Sequence, residues 1–330
     1  MREKGIVYKL NFGVPLPEIK QIAATHKPDS ALASLLRAMG NSVIPLLFLG
    51  ISASLNVVLD LVFVLILERG TAGAAEATII SQFVSGIGIM VYTCLKMPEL
   101  RPEKRHMRMD GGILHEISQF SLLTCMQQSV MNFGILMVQG LVNSFGTVVM
   151  AAFATAVKID SFAYMPVQDF GNAFSTFIAQ NYGAGKKDRI KKGIKSAVIV
   201  AVLFSLTVSA VVFCFARELM MIFVKASETE ILQVGVGYLR IEGAFYCGIG
   251  CLFLLYGLYR AMGRPGMSVV LTVISLGTRV ILAYTLSSVP WIGVTGIWAA
   301  VPIGWFLADA VGFLYYWRSQ KQQKSQYSGH

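Results

Sequence analysis

The sequence predicts an all-α polytopic membrane protein, with eight transmembrane helices belonging to a 6+6 parallel-repeat, two-lobe transporter fold. Three observations carry that prediction. Of 330 residues, 55% are hydrophobic and only 14% are charged, whereas soluble domains run near a quarter charged. The apolar residues fall in blocks of about 20 or more, the length that crosses a bilayer. Basic residues crowd alternate gaps between those blocks. A soluble globule of this composition would expose apolar patches larger than monomers carry.

The blocks lie at 43–67, 73–95, 117–142, 147–178, 194–216, 231–259, 267–288 and 293–317. Backbone polar groups cannot stay unpaired in lipid, so each block reads as a helix. The period-two alternation of a membrane barrel is absent. Residues 1–30 are polar, contain Pro15, Pro17 and Pro28, and show no secretory apolar run. Alternate gaps hold 17 Lys and Arg, against three (Arg69, Arg217 and Lys225) in the others. The positive-inside rule then puts the 96–114 loop, the 184–195 loop and the C-terminus in the cytoplasm. Topology alone accounts for the net charge of +10, with no nucleic-acid partner. Membrane lipids are expected partners, because the 184–195 loop is basic enough to touch anionic headgroups.

An internal repeat sharpens the architecture. Arg37-Ala38-Met39-Gly40 recurs as Arg260-Ala261-Met262-Gly263, an offset of 223. Held without gaps, that offset lays 36–96 over 259–319 with 14 of 61 positions identical, among them Ser52/Ser275, Gly70/Gly293 and Gly73/Gly296. Both copies enter from the cytoplasmic side, as in transporters whose halves are related by an axis along the membrane normal. The second unit, 115–318, holds six helices and the first only two. The partner of residue 115 would fall at position −108. The expectation is a 6+6 protein short of its first four helices, with a natural eight-helix variant as the alternative. The expected organisation is a polar N-terminus foreign to the fold at 1–30 and a remnant of the first lobe at 31–95. A cytoplasmic linker at 96–114, a C-terminal lobe at 115–318 and a cytoplasmic tail at 319–330 complete it.

Little in the chain points to catalysis. None of the four histidines (His26, His106, His115, His330) lies inside an apolar block. The five cysteines all do, in no secreted-type framework. Cys247 and Cys251, one helical turn apart, read as small packing residues, with a metal or redox pair as the sharper alternative. Gly183-Ala184-Gly185-Lys186 lacks the spacing of a nucleotide-binding loop. ATP is therefore not the expected energy source, no metal or cofactor is expected, and an enzyme is the weakest reading.

The most specific stretch is Phe145-Gly146-Thr147 through Ala151-Ala152, then Lys158-Ile159-Asp160, Met165-Pro166 and Gln180-Asn181-Tyr182-Gly183-Ala184-Gly185. With Leu36-Arg37-Ala38-Met39-Gly40, Leu55-Asn56-Val57-Val58-Leu59-Asp60, Gly73-Ala74-Ala75 and Ser81-Gln82, it resembles the C-terminal two-thirds of a bacterial MATE (multidrug and toxic compound extrusion) transporter. The resemblance covers about 33–318. It implies a monomeric multi-pass protein of the bacterial cytoplasmic membrane that exports small cationic or amphipathic compounds. It also implies proton or sodium antiport as the driving force, with two lobes rocking between outward-open and inward-open states. A flippase for a lipid-linked precursor, from the same superfamily, and a non-transporting fragment are the alternatives.

Candidate pathway residues follow from the cost of charge in lipid, about 2.5–3.5 kcal/mol at a helix centre. Asn56 and Asp60, at i and i+4, present an acid beside an amide on one face, and both match the family pattern. Asp160 sits two residues from Lys158, so the two face different ways, and one is expected to bond to another helix. Asp169 and Asn172 follow the potential kink at Pro166. Gln128, Asn132 and Gln139 form a polar stripe that either lines a cleft or makes interhelical hydrogen bonds. Arg279 needs a carboxylate, a carbonyl or water, with Asp309 or Glu242 as possible donors of the carboxylate. Arg240 and Glu242 read as a snorkelling interfacial pair. Glu76 faces either the pathway or external water. The family's helix-one aspartate has no counterpart here, and 244–259, where sodium-type members carry an acid, contains none. On that reading neither usual coupling carboxylate is identified.

Overall fold

Long apolar runs free of proline or paired glycines propagate as helix, because propagation satisfies every interior backbone group without water. A computed structural model describes residues 28–97 and 111–327, and there the chain is helical apart from short turns. The segment before residue 28, most of the 96–114 linker and the last three residues lie outside the described residues. The chain divides into two compact units, at Met109/Asp110.

In the first unit, α1 spans Pro28–Ala38, α2 spans Val43–Asp60 and α3 spans Gly70–Lys96. Leu36 of α1 is fully buried and packs with Ala33 and with Ile89 of α3. From Asp60 onward α2 widens into a π-helical turn over Leu61–Ile66, marked by the bond from the Leu67 amide to the Val62 carbonyl at 2.9 Å. Such widenings are rare and concentrate at functional positions.

The second unit holds α4 (Gly111–Asn143), α5 (Thr147–Gly183), α6 (Lys187–Cys214), α7 (Ala216–Met221), α8 (Thr229–Gly243), α9 (Tyr246–Ala261), α10 (Pro265–Ser287) and α11 (Val294–Tyr327). Its core joins Val138 and Val142 of α4, Ala156 of α5, Leu239 of α8, Leu252 of α9, Leu271 of α10 and Ile297 and Val301 of α11. Glycines bring α5 and α9 to backbone contact. A Cβ on Gly257 would stand 2.6 Å from the Gly171 carbonyl oxygen.

Among the described residues, seven helices are long and apolar enough to cross a membrane. The eighth expected span, 231–259, is not one helix. It is α8 and α9, bent by 52° at Ala244–Phe245. The Phe245 amide turns back to the Glu242 carbonyl at 3.0 Å, and the Gly248 amide to the Phe245 carbonyl at 2.9 Å. Gly243 sits at the break with Val212 packed against it. Irregular backbone at membrane depth is tolerated where protein buries it, and broken helices often flank ion sites.

Candidate functional site: a buried carboxyl pair beside a broken helix

Two helical stripes build the site. On α5 the buried positions Val149, Ala152, Phe153, Ala156, Ile159, Asp160 and Ala163 recur at helical spacing, which puts Asp160 on the apolar face. On α8 the buried positions are Leu232, Gly235, Tyr238, Leu239, Glu242 and Gly243. Both stripes turn into the same core, so the two acids meet. Asp160 is 3% exposed and Glu242 is 4% exposed.

The Tyr238 hydroxyl donates to Glu242 Oε2 at 2.8 Å. The Tyr246 hydroxyl, from the first turn of α9, donates to Asp160 Oδ1. The two carboxyls lie close enough to act electrostatically on each other. Arg279 of α10 acts electrostatically on both, from beyond ion-pair distance. Its Nε is buried and unbonded, as is Glu242 Oε1. An aromatic wall closes one side. Phe153 stacks on Trp298 at 5.5 Å, and Tyr238 stands edge-on to Trp298 at 4.9 Å.

Charge counting gives this arrangement its chemistry. Two ionised carboxylates against one guanidinium leave one net negative charge in a dry interior, which is costly unless compensated. One proton shared between the carboxyls, or one monovalent cation held by their oxygens, restores neutrality. Residues that act in this way titrate as a pair rather than singly.

The interfacial reading of Arg240 and Glu242 is overturned. Arg240 is exposed, with its guanidinium over the Phe213 ring at 5.6 Å, while Glu242 points into the core. Spacing was the available signal, since 232, 235, 239 and 242 lie on one helical stripe. Arg279 acts on Glu242 and Asp160 only through its charge, and no ion pair within 4 Å joins it to either or to Asp309. Asp309 is 6% exposed with Oδ1 unbonded.

The other sequence candidates are scattered. Lys158, Asp169 and Asn172 are exposed on α5, and the Arg260 guanidinium donates to Asn172 Oδ1 at 3.3 Å. On α4, Gln128, Asn132 and Gln139 are exposed. Their neighbour Gln127 is the residue that reaches another helix, donating to Thr272 Oγ1 of α10 at 3.1 Å. In the first unit the Asn56 amide donates to Thr78 Oγ1 at 3.3 Å. Asp60, at the start of the π-helical turn, keeps Oδ1 buried and unbonded. Glu76 forms an exposed ion pair with Arg69, and Cys247 and Cys251 are free, half-buried thiols.

A family model, MatE, matches residues 122–285, the stretch that contains Asp160, Glu242 and Arg279. Over that stretch, just under half of its length, the chain matches the MATE family. It is 28% identical over 296 residues to the probable multidrug resistance protein YpnP of Bacillus subtilis (strain 168), covering 88% of this chain and 65% of that protein. It is 26% identical over 274 residues to the probable multidrug resistance protein NorM of Thermotoga maritima, covering 82% and 58%. It thus spans less than two thirds of these MATE relatives. In fold it superposes on an outward-facing MATE transporter of the MOP superfamily with a TM-score of 0.82 at 23% identity, covering 90% of this chain and 66% of that one. It is accordingly a multi-pass membrane protein with the MATE helical fold.

Proposed function

We propose that this chain serves secondary-active export of cationic or amphipathic small molecules, driven by proton or sodium antiport. We further propose that the coupling cation is held by Asp160 and Glu242. The observation that carries this reading is the buried carboxyl pair with a single guanidinium nearby, one positive charge short of neutrality. Buried ionisable residues in membrane helices mark ion pathways by default, because an idle charge there is selected against. The broken α8–α9 span beside the pair supports the same reading. The names of the curated relatives support a drug substrate, and the α4 polar stripe of Gln128, Asn132 and Gln139 offers neutral hydrogen-bonding groups to such a compound. Asp60 with Asn56 is the second acidic candidate, in the first unit. Asp169 and Asn172 are assigned to the basic, cytoplasmic end of the pathway.

The cycle we infer is an exchange. Cation binding neutralises the pair and substrate release follows; cation loss restores the charge and favours an organic cation. The two lobes would alternate between outward-open and inward-open states in step with it. The test is transport of a fluorescent organic cation into proteoliposomes under an imposed proton or sodium gradient. Gradient-driven uptake is expected with the native chain and abolished in both Asp160→Asn and Glu242→Gln. Uptake that persists in both amide variants would overturn the assignment.

A further inference from the structure

A groove on the α5–α6 face is not used by the carboxyl site. Two cavities of about 600 and 180 Å3 lie end to end there, sharing Phe170 and Val200. The larger is floored by Phe174, Phe177 and Ala197 and carries Arg189 and Lys192 at its outer end. The smaller continues past Pro166 to Phe204. Along α6 the lining runs from Arg189 to Phe204, about 22 Å at 1.5 Å per residue. That is about the depth of one leaflet with its headgroup layer.

The chemistry is graded along that length. One end holds two cations and the rest is aromatic and aliphatic. Both cations are exposed, and neither has a carboxylate within 4 Å. They lie in the first turns of α6, at the end that the Lys and Arg count assigns to the cytoplasm, so their counter-charge comes from elsewhere. A cationic drug is repelled by this end. A soluble phosphate leaves the apolar length unfilled. A zwitterionic lipid brings no net charge to match.

We propose that the groove binds one anionic phospholipid of the cytoplasmic leaflet. Its phosphate rests on Arg189 and Lys192, and one acyl chain lies along Phe177, Phe170 and Phe204. The Gly193 position allows this shape. A Cβ there would meet the Phe177 ring at 2.3 Å and force it out of its place on the groove floor. The chain would also lie alongside α5 at Pro166, where the helix lacks one backbone bond, and so stiffen it.

The test uses the full chain purified in a neutral detergent. Native mass spectrometry counts retained lipid and thermal unfolding reads protection, with dioleoyl phosphatidylglycerol, dioleoyl phosphatidylcholine and glycerol phosphate as probes. One phosphatidylglycerol is expected to stay bound and raise the unfolding temperature. Arg189→Gln with Lys192→Gln is expected to weaken it about thirtyfold. Lys191→Gln with Lys195→Gln removes the same charge beside the groove and is expected to change little. Ala173→Phe, at an exposed groove-lining position, is expected to lose the lipid with the charge intact. Equal loss in the two double variants would overturn the proposal as diffuse loop electrostatics. So would protection by glycerol phosphate alone, or equal retention of phosphatidylcholine.

Discussion

The two copies of the internal repeat, 36–96 and 259–319, share a frame and differ in what they hang on it. Each begins with the same left-handed helix stop. Gly40 has φ +88° and Gly263 φ +72°, and the amides of Asn41 and Arg264 reach back five residues to Leu36 and Tyr259 at 2.9 and 2.8 Å. Each ends its first span on another left-handed glycine, Gly70 at +56° and Gly293 at +52°. Each then presses a glycine on a matched side chain. A Cβ on Gly73 would stand 2.9 Å from Phe63 Cβ, and one on Gly296 would stand 2.6 Å from Leu286 Cβ, and Phe63 and Leu286 are themselves repeat partners. The chemistry diverges within that frame. Asn56 overlays Arg279, Asp60 overlays the fully buried Ala283, and Gly86 overlays Asp309. The first copy widens into a π-helical turn after Asp60, while α10 stays α-helical to Ser287. Turn geometry is thus held in common, and polar function is placed separately in each copy.

Exchanging the divergent positions breaks the comparison hardest. Ala283→Asp puts a carboxylate where no atom is exposed and is expected to cost about 3–5 kcal/mol, read as lost folded yield and a lower unfolding temperature. The reverse change, Asp60→Ala, removes an oxygen without a partner and is expected to shift stability by less than about 1 kcal/mol. Equal effects would mean that the two copies tolerate charge alike.

Close packing gives the next contrast. A Cβ on Gly304 would stand 2.4 Å from the Ser275 carbonyl oxygen, so Gly304→Ala is expected to cost about 1–3 kcal/mol through backbone displacement. Its partner Ser81 already carries a side chain, bonded to the Thr78 carbonyl at 3.0 Å. Ser81→Ala is expected to cost about 1 kcal/mol, and detergent unfolding curves of the pair check both. The shared stops should behave alike. Gly40→Ala and Gly263→Ala each force a Cβ into the left-handed region and should each cost about 1–2 kcal/mol. A large difference between them would deny the common frame. The smallest effect is expected from Asn56→Ala, which loses one interhelical bond worth about 0.6 kcal/mol.

The frame was legible because it rests on local signals. Apolar runs of membrane length and recurrent turn glycines are visible in one sequence, and they locate the helices and the repeat. The carboxyl site was half legible. Asp160 stands out as a charge in mid-span, whereas Glu242, the twelfth residue of its apolar block, reads as an interfacial acid. Hydropathy averages over a helix, and only its buried stripe separates Glu242 inside from Arg240 outside. The break at Ala244–Phe245 has no proline to announce it, and Gly243 alone does not end a helix. It comes from packing against Val212 and the α5–α9 contact, which are tertiary. The π-helical turn over Leu61–Ile66 lies in a uniformly apolar stretch that carries no local mark of it.

The most direct measurement uses Trp298, which lies against Tyr238 and through it reports on Glu242. With Trp291, Trp305 and Trp317 replaced by Phe, its fluorescence is titrated with sodium at fixed pH and with protons in sodium-free buffer. A saturable change with one of the two cations is expected, at one site per chain, and its loss in Asp160→Asn and Glu242→Gln. Arg279→Gln should move the same titration toward tighter cation binding, because it removes the competing positive charge. A flat response to both cations, or one unchanged in the amide variants, would contradict the assignment of the coupling cation to this pair.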